Sequence, residues 1–136
     1  MRLIISNTEP VDNSWTYVQD ISLLDIFVEN CEAKEIVVDF FLGNFWFHQL
    51  EEVIDVICRK LRLGGTITIN DMDFDFLVNK MESEPIQNIN NIVFAERAIK
   101  SFYTVEYITS LLEKHVKIIK AFFDDNNNFV LVGEKC

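Results

Sequence analysis

Asp71, Asp73, Asp75, Asn79 and Glu82 fall at positions 1, 3, 5, 9 and 12 of one stretch. With that spacing a calcium loop presents hard oxygen ligands to the ion. The sixth position holds Phe76 where such a loop turns on glycine, and the stretch follows a strand-like run rather than a helix. The competing reading is an acidic strand end leading into a helix near Asp73, whose first turn favours carboxylates. An acidic calcium-responsive module is the third functional expectation, and no metal ligand is assigned. His48, beside Trp46 and Phe47, is either a general base near a pocket or a helix-start residue packed on aromatics. His115 ends a helix, where a cation suits the dipole. Neither histidine has a serine or cysteine partner at a motif spacing, so a hydrolase triad has no support and no catalytic residue is assigned. Cys31, Cys58 and Cys136 are odd in number and lack a CxxC pair. They read as reduced thiols in a cytosol-like compartment.

The elements that must hold these groups alternate in period. Met1 to Ser6 is an apolar run suited to a buried strand, and Trp15 to Val18 is a second β-prone run. Ser22 can cap a helix with Leu24, Phe27, Val28 and Cys31 on one face. Glu35 to Leu42 reads as a strand covered on both sides, broken by Gly43-Asn44. Leu50, Val53, Ile54, Ile57, Cys58 and Leu61 repeat at helical spacing opposite Glu51, Glu52, Asp55, Arg59 and Lys60, and Gly64-Gly65 is expected to end that helix. Thr66 to Asn70 is a strand. Phe74 to Phe102 reads as helical in pieces, broken at Glu84-Pro85, with Ile89, Ile92, Val93 and Ile99 on a weak apolar face. Thr104 opens a last helix, and Val116 to Phe123, a turn over 124–128, and Phe129 to Val132 form a hairpin. Alternating strands and helices imply an α/β domain with a mostly parallel sheet, closed by an antiparallel C-terminal hairpin.

The run from Arg59 to Asp71, with Leu63-Gly64-Gly65 leading into a strand, resembles the class I S-adenosylmethionine-dependent methyltransferases. There a helix ends in Leu-Lys-Pro-Gly-Gly before the fifth strand. Tyr103 to Leu112 is similar to that family's last helix, Lys117 to Gly133 to its reversed final strands, and Glu35 to Leu42 to its fourth strand. The resemblance covers roughly residues 34 to 133 and implies one three-layer, doubly wound, Rossmann-like domain over residues 1–136, trimmed at the cofactor end. Asp20-Ile21 matches an acid often found at the end of the family's third strand. The family binds its cofactor at the end of the first strand over a glycine-rich loop. Here that strand runs into Asn7-Thr8-Glu9-Pro10 without a glycine, so side chains fill the space that glycine leaves open. Eight residues separate Ser6 from Trp15, too few for a helix and a strand. Either that unit is deleted, or Trp15 to Gln19 is itself the second element and the third is missing.

The resemblance therefore implies a degenerate, non-catalytic methyltransferase-like module acting in assembly or regulation, with no cofactor expected. The alternative is an active methyltransferase, with S-adenosylmethionine held on a remodelled loop. If a small molecule binds, Ser6, Asn7, Thr8, Asp20, Ile21, Phe41 and Gly43 are the expected contacts, because open α/β sheets bind ligands beyond the carboxyl ends of their strands. The aromatics Phe40, Phe41, Phe45, Trp46 and Phe47 read as core, with part emerging at that edge. A missing crossover helix leaves one face of the sheet bare near Trp15 and Tyr17, so a homodimer or a protein partner is expected there.

Composition narrows the rest. The 136 residues carry 22 acids against 12 bases, a net charge of −10, with 49% apolar residues and twelve phenylalanines. A chain of this length buries about two-thirds of its unfolded surface, enough for one ordinary core. The charge argues against nucleic acid or an anionic membrane as partner. No membrane-length apolar run and no signal-like start are present, so a cytoplasmic location is expected. The small size would suit a phage or metagenomic gene.

Overall fold

Six strands order the molecule: β1 (Arg2–Ser6), β2 (Thr16–Val18), β3 (Ala33–Asp39), β4 (Leu61–Met72), β5 (Lys117–Phe123) and β6 (Asn128–Glu134). They form one sheet in the order β2-β1-β3-β4-β6-β5. The first four in that order run parallel, and β6 and β5 close the sheet antiparallel. The computed structural model describes residues 1–96 and 99–136, without the side chains of Ile92, Ala95 and Glu96. The expectation for Ile92 lies outside them. The α/β class, the parallel sheet and the antiparallel C-terminal pair are as the sequence predicts.

The strand period of two sorts the side chains into two unlike faces. On one face Leu3, Ile5, Val18, Ile36, Val38, Ile67, Ile69, Phe129 and Leu131 are almost wholly buried. They share a single core with Leu24 of α1 (Leu24–Phe27), with Leu50, Val53, Ile54, Ile57 and Cys58 of α2 (Leu50–Arg59), and with Ile108, Leu111 and Leu112 of the last helix, Val105–Leu112. The other face carries the register row Tyr17, Ile4, Val37, Thr68, Val132 and Lys120. None of its apolar members belongs to a buried cluster, and the first five are only half-buried. Among the described residues the core therefore joins helices to one face of the sheet, where a doubly wound fold flanks both. The cause lies in the first connection. Residues 7–15 run from β1 to β2 in bends and turns, leaving no chain for the helix that would cover the second face.

Between β4 and the last helix, α3 (Phe74–Ser83) and α4 (Ile86–Asn90) lead into a π-helical turn, Asn91–Glu96. Leu77, Ile89 and Val93 form a second small cluster there, against Met72, Phe74 and Ile99. The last helix, Val105–Leu112, is α5. Thr104 caps it, accepting from the Tyr107 N–H at 3.2 Å.

Several boundaries differ from the sequence reading. The expected helix from Ser22 is a 3-10 turn, Ile21–Leu23, and the four residues of α1. Asp20 caps it instead, and the chain leaves the helix at Val28, with Cys31 exposed at φ 61°. Gly64 and Gly65 do not end a helix. α2 stops at Arg59, and Lys135 Nζ donates to the carbonyls of Cys58 and Leu61 at 3.3 and 2.8 Å. The glycines lie inside β4, where the register with β3 shifts between Ala33 and Glu35. A Cβ on Gly65 would come within 2.9 Å of the Arg62 carbonyl and 3.0 Å of the Lys34 carbonyl, and Gly64 has φ +79°. All three cysteines are free, and burial pushes the Cys58 thiol up to about 12. No helix among the described residues is long and apolar enough to cross a membrane.

Candidate functional site

The chain order reverses direction across the sheet between β1 and β3, and that switch point is where open α/β sheets hold ligands. Ser6 and Asp39 end these two strands in register. Beyond them lies a cavity of about 490 Å³ lined by Ser6, Asn7, Thr8, Asp39, Gly43 and Asn44, with Asp71, Ile99 and Tyr103 on its far wall. A second cavity of about 500 Å³ opens towards β2, among Gln19, Asp20, Ile21, Phe41, Asn44 and Phe45. Both fall in the size range of small-molecule sites.

Local chemistry fixes the loop on each side. Ser6 Oγ accepts from the Thr8 N–H at 3.1 Å, a tight turn that directs Asn7 across the crevice. Asn7 Nδ2 donates to the Phe40 carbonyl and to Asn44 Oδ1, each at 3.3 Å. Asn44 Nδ2 donates back to Asn7 Oδ1 at 2.8 Å. Phe40 takes φ 49° as β3 ends, a left-handed conformation costly for an aromatic residue and characteristic of functional or tightly determined positions. Its N–H still bonds the Asn70 carbonyl at 2.9 Å, so the turn stays tied to β4. The Gly43 carbonyl accepts from the Lys100 N–H at 2.8 Å, which straps the segment carrying Ile99 and Tyr103 over the cavity.

The candidate contacts thus separate into two groups. Ser6, Asn7, Thr8 and Gly43 line the first cavity; Asp20, Ile21 and Phe41 line the second; Asn44 lines both. Trp15 to Gln19 is the second element, because Thr16 to Val18 pairs directly with β1. Asp20 accordingly follows the second strand of the sheet and not a third. The Ser22 N–H and hydroxyl both donate to Asp20 Oδ1 at 2.9 Å and hold its carboxyl below the usual range, so it is ionised at neutral pH. Asp39 and Tyr103 are not singled out by the sequence, and Asp71 enters there only through the calcium-loop spacing. Tyr103 is brought in from sixty residues beyond Gly43 by tertiary contacts, the Lys100–Gly43 hydrogen bond among them, and no spacing announces it.

The other sequence candidates disperse. Phe41 is buried with Phe45 edge-on at 5.4 Å, whereas Trp46 and Phe47 are half exposed and Phe47 stacks on Tyr107. His48 is exposed on a 3-10 turn before α2, and His115 lies 3.9 Å from Asp55. The calcium spacing is broken by α3, which puts Asn79 and Glu82 on later helical turns. Asp73 instead approaches Asp75 and Glu106 and accepts from the Val105 N–H at 3.0 Å, joining the starts of α3 and α5. Burial raises the Asp73 pKa first, with Asp75 and Glu106 adding to it.

No family model and no curated protein matches the sequence. Solved structures do match. A protein from Pyrococcus horikoshii OT3 is similar at TM-score 0.66 and 15% identity, over 90% of this chain and 59% of that one. An O-methyltransferase family protein from Burkholderia thailandensis is similar at 0.66 and 14%, over 89% and 36%. The N-methyltransferase NodS from Bradyrhizobium japonicum WM9, solved with S-adenosyl-L-homocysteine, is similar at 0.60 and 13%, over 98% and 66%. The first two are covered over less than two-thirds of their lengths. Sheet order and switch point define a Rossmann-like α/β domain. More narrowly, its fold is the class I methyltransferase-like fold.

Proposed function

We propose that this chain is a methyltransferase-like module without methyl-transfer activity, working in assembly or regulation. The observation that carries the reading is the amide bridge between Asn7 and Asn44, which spans the switch point where a cofactor would lie. Nucleotide-binding sheets open this point with glycines and offer a helix N-terminus just after the first strand. Here Asn7, Thr8 and Glu9 follow β1, and residues 7–15 hold no helix. Breaking two side-chain hydrogen bonds costs about 1–2 kcal/mol, roughly a tenfold loss of affinity. The glycine-free backbone adds a steric barrier to that.

A second reading, an S-adenosylmethionine-dependent enzyme, is favoured by Asp20. An ionised carboxylate just past the second strand is how related folds hold ribose hydroxyls, and the cavity beside it is roomy enough for a small ligand. Methyl transfer depends mainly on positioning, so it requires few catalytic side chains. Were that enzyme correct, S-adenosylmethionine would bring the transferable methyl, and Asp20 with Ile21 and Phe41 would hold its nucleoside end. Isothermal calorimetry with S-adenosylhomocysteine separates the readings: no heat at millimolar ligand is expected, and micromolar binding would overturn the non-catalytic one.

A further inference from the structure

The bare face of the sheet is patterned as if to meet its own copy. Its middle row, Tyr17, Ile4, Val37, Thr68 and Val132, crosses five strands with no charge before ending on Lys120. The row on one side is mostly polar, and the row on the other is mixed. One runs Arg2, Glu35, Thr66, Glu134, Lys117, with Trp15 beneath the Arg2 guanidinium at 4.0 Å. The other runs Ser6, Asp39, Asn70, Val130, Phe122, and Phe122 is half exposed.

Charge is mixed across this face. β5 carries Lys117 and Lys120 and no acid, beside Glu134 on β6, in a chain with a net charge of −10. The opposite half bears Glu35 and Asp39 on β3 and Arg2 on β1, with Glu9 near enough to Tyr17 to raise its pKa further after desolvation. A two-fold axis along the strands, midway between β3 and β4, would set β2 over β5, β1 over β6 and β3 over β4. Tyr17 would then meet Lys120, Ile4 would meet Val132, Val37 would meet Thr68, and Arg2 would meet Glu134. Sheets packed face to face keep their strands within about 30° of one another, so these meetings hold to within roughly two residues at the outer strands and closer at the centre.

We propose that a second copy of this chain covers the open face through that two-fold axis. Both kinds of contact are needed: the apolar row supplies the driving force, and the meetings of Arg2 with Glu134 and of Lys120 with the Tyr17 and Glu9 side fix which end lies over which. Strands about 4.8 Å apart and about 3.3 Å per residue give a face of roughly 24 by 17 Å. Two such faces bury on the order of 1,000 Å² together, at the small end for a specific interface, so the dimer dissociates in the micromolar range. The proposal goes beyond the reading of the cofactor crevice and stands whether or not S-adenosylmethionine binds.

Sedimentation velocity of the full chain between about 1 and about 100 µM tests it. The wild type is expected to pass from monomer to dimer over that range. Val37→Lys and, independently, Lys120→Glu are each expected to weaken the dimer at least about tenfold with an unchanged circular dichroism spectrum. Lys120→Glu alters an exposed side chain, so it reports even if a lysine at position 37 disturbs folding. Ile26→Lys, on the exposed side of α1 across the sheet, is expected to leave the dimer intact. A wild type that stays monomeric throughout overturns the proposal. So does a dimer broken by Ile26→Lys and indifferent to both face variants.

Discussion

Asn7 and Asn44 join the end of β1 to the turn after β3 by a reciprocal pair of amide hydrogen bonds, 2.8 Å in one direction and 3.3 Å in the other. Asn7 also holds the carbonyl of Phe40, the residue whose backbone is left-handed. One side chain therefore bridges the crevice and secures a strained turn beside it.

Asn44→Ala removes both amide bonds. Because the pair is exposed, water replaces part of what is lost, and stability is expected to fall by only about 1 kcal/mol. Urea unfolding measures this, with an unchanged slope and a lower midpoint.

Gly65→Ala tests the irregular turn inside β4. The new methyl would sit about 3 Å from two backbone carbonyls and 2.8 Å from Leu61 Cδ1, and the carbonyls cannot swing away as a flexible side chain can. A loss of about 1–3 kcal/mol is expected, read from the thermal or urea midpoint. Alanine at Gly43, where the nearest atoms stand at 3.6 Å, is the contrasting substitution, expected to be far milder.

These positions show how the sequence was read and where it stopped. The α2 stripe was legible because Leu50, Val53, Ile54, Ile57 and Cys58 obey one local period, and all are buried. Leu63-Gly64-Gly65 lies at the entry to β4, as the resemblance implies, but the glycines do not end α2. The helix end is served by Lys135 from the far end of the chain, a contact no local pattern encodes. Ser6, Asn7 and Gly43 line the first cavity because they lie at or after strand ends, the edge at which open α/β sheets hold ligands. Asn44 is read as part of the break after β3, and Tyr103 reaches the cavity through tertiary packing. The eight residues between Ser6 and Trp15 indicated a missing cover, and the two unlike faces of the sheet are its consequence.

Asp73 predicts a pH effect. Its folded pKa is raised above the ordinary aspartate value, chiefly by burial and then by Asp75 and Glu106. The folded state therefore holds the proton more tightly than the unfolded chain. By linkage its contribution favours folding most below the unfolded pKa, and is lost as pH rises through the folded one. Asp73→Asn keeps an oxygen to accept from Val105 and removes the charge. The variant is expected to be more stable than wild type at pH 7, with the difference closing as pH falls to about 4. Thermal midpoints across that range give the sign; a difference that widened on acidification would contradict it.

Thr104→Ala removes the side-chain cap of α5. A loss of about 1 kcal/mol is expected from urea unfolding, since the Tyr107 N–H loses its partner at the helix start.

The proposed loss of cofactor binding is tested most directly by calorimetric titration of S-adenosylhomocysteine into the wild type and into the double variant Asn7→Gly, Asn44→Ala. The wild type is expected to show no binding heat up to millimolar ligand. The double variant is expected to bind more tightly than wild type by about tenfold or more, through loss of the bridge and of the Asn7 side chain. Micromolar binding by the wild type, unchanged in the double variant, would contradict the account.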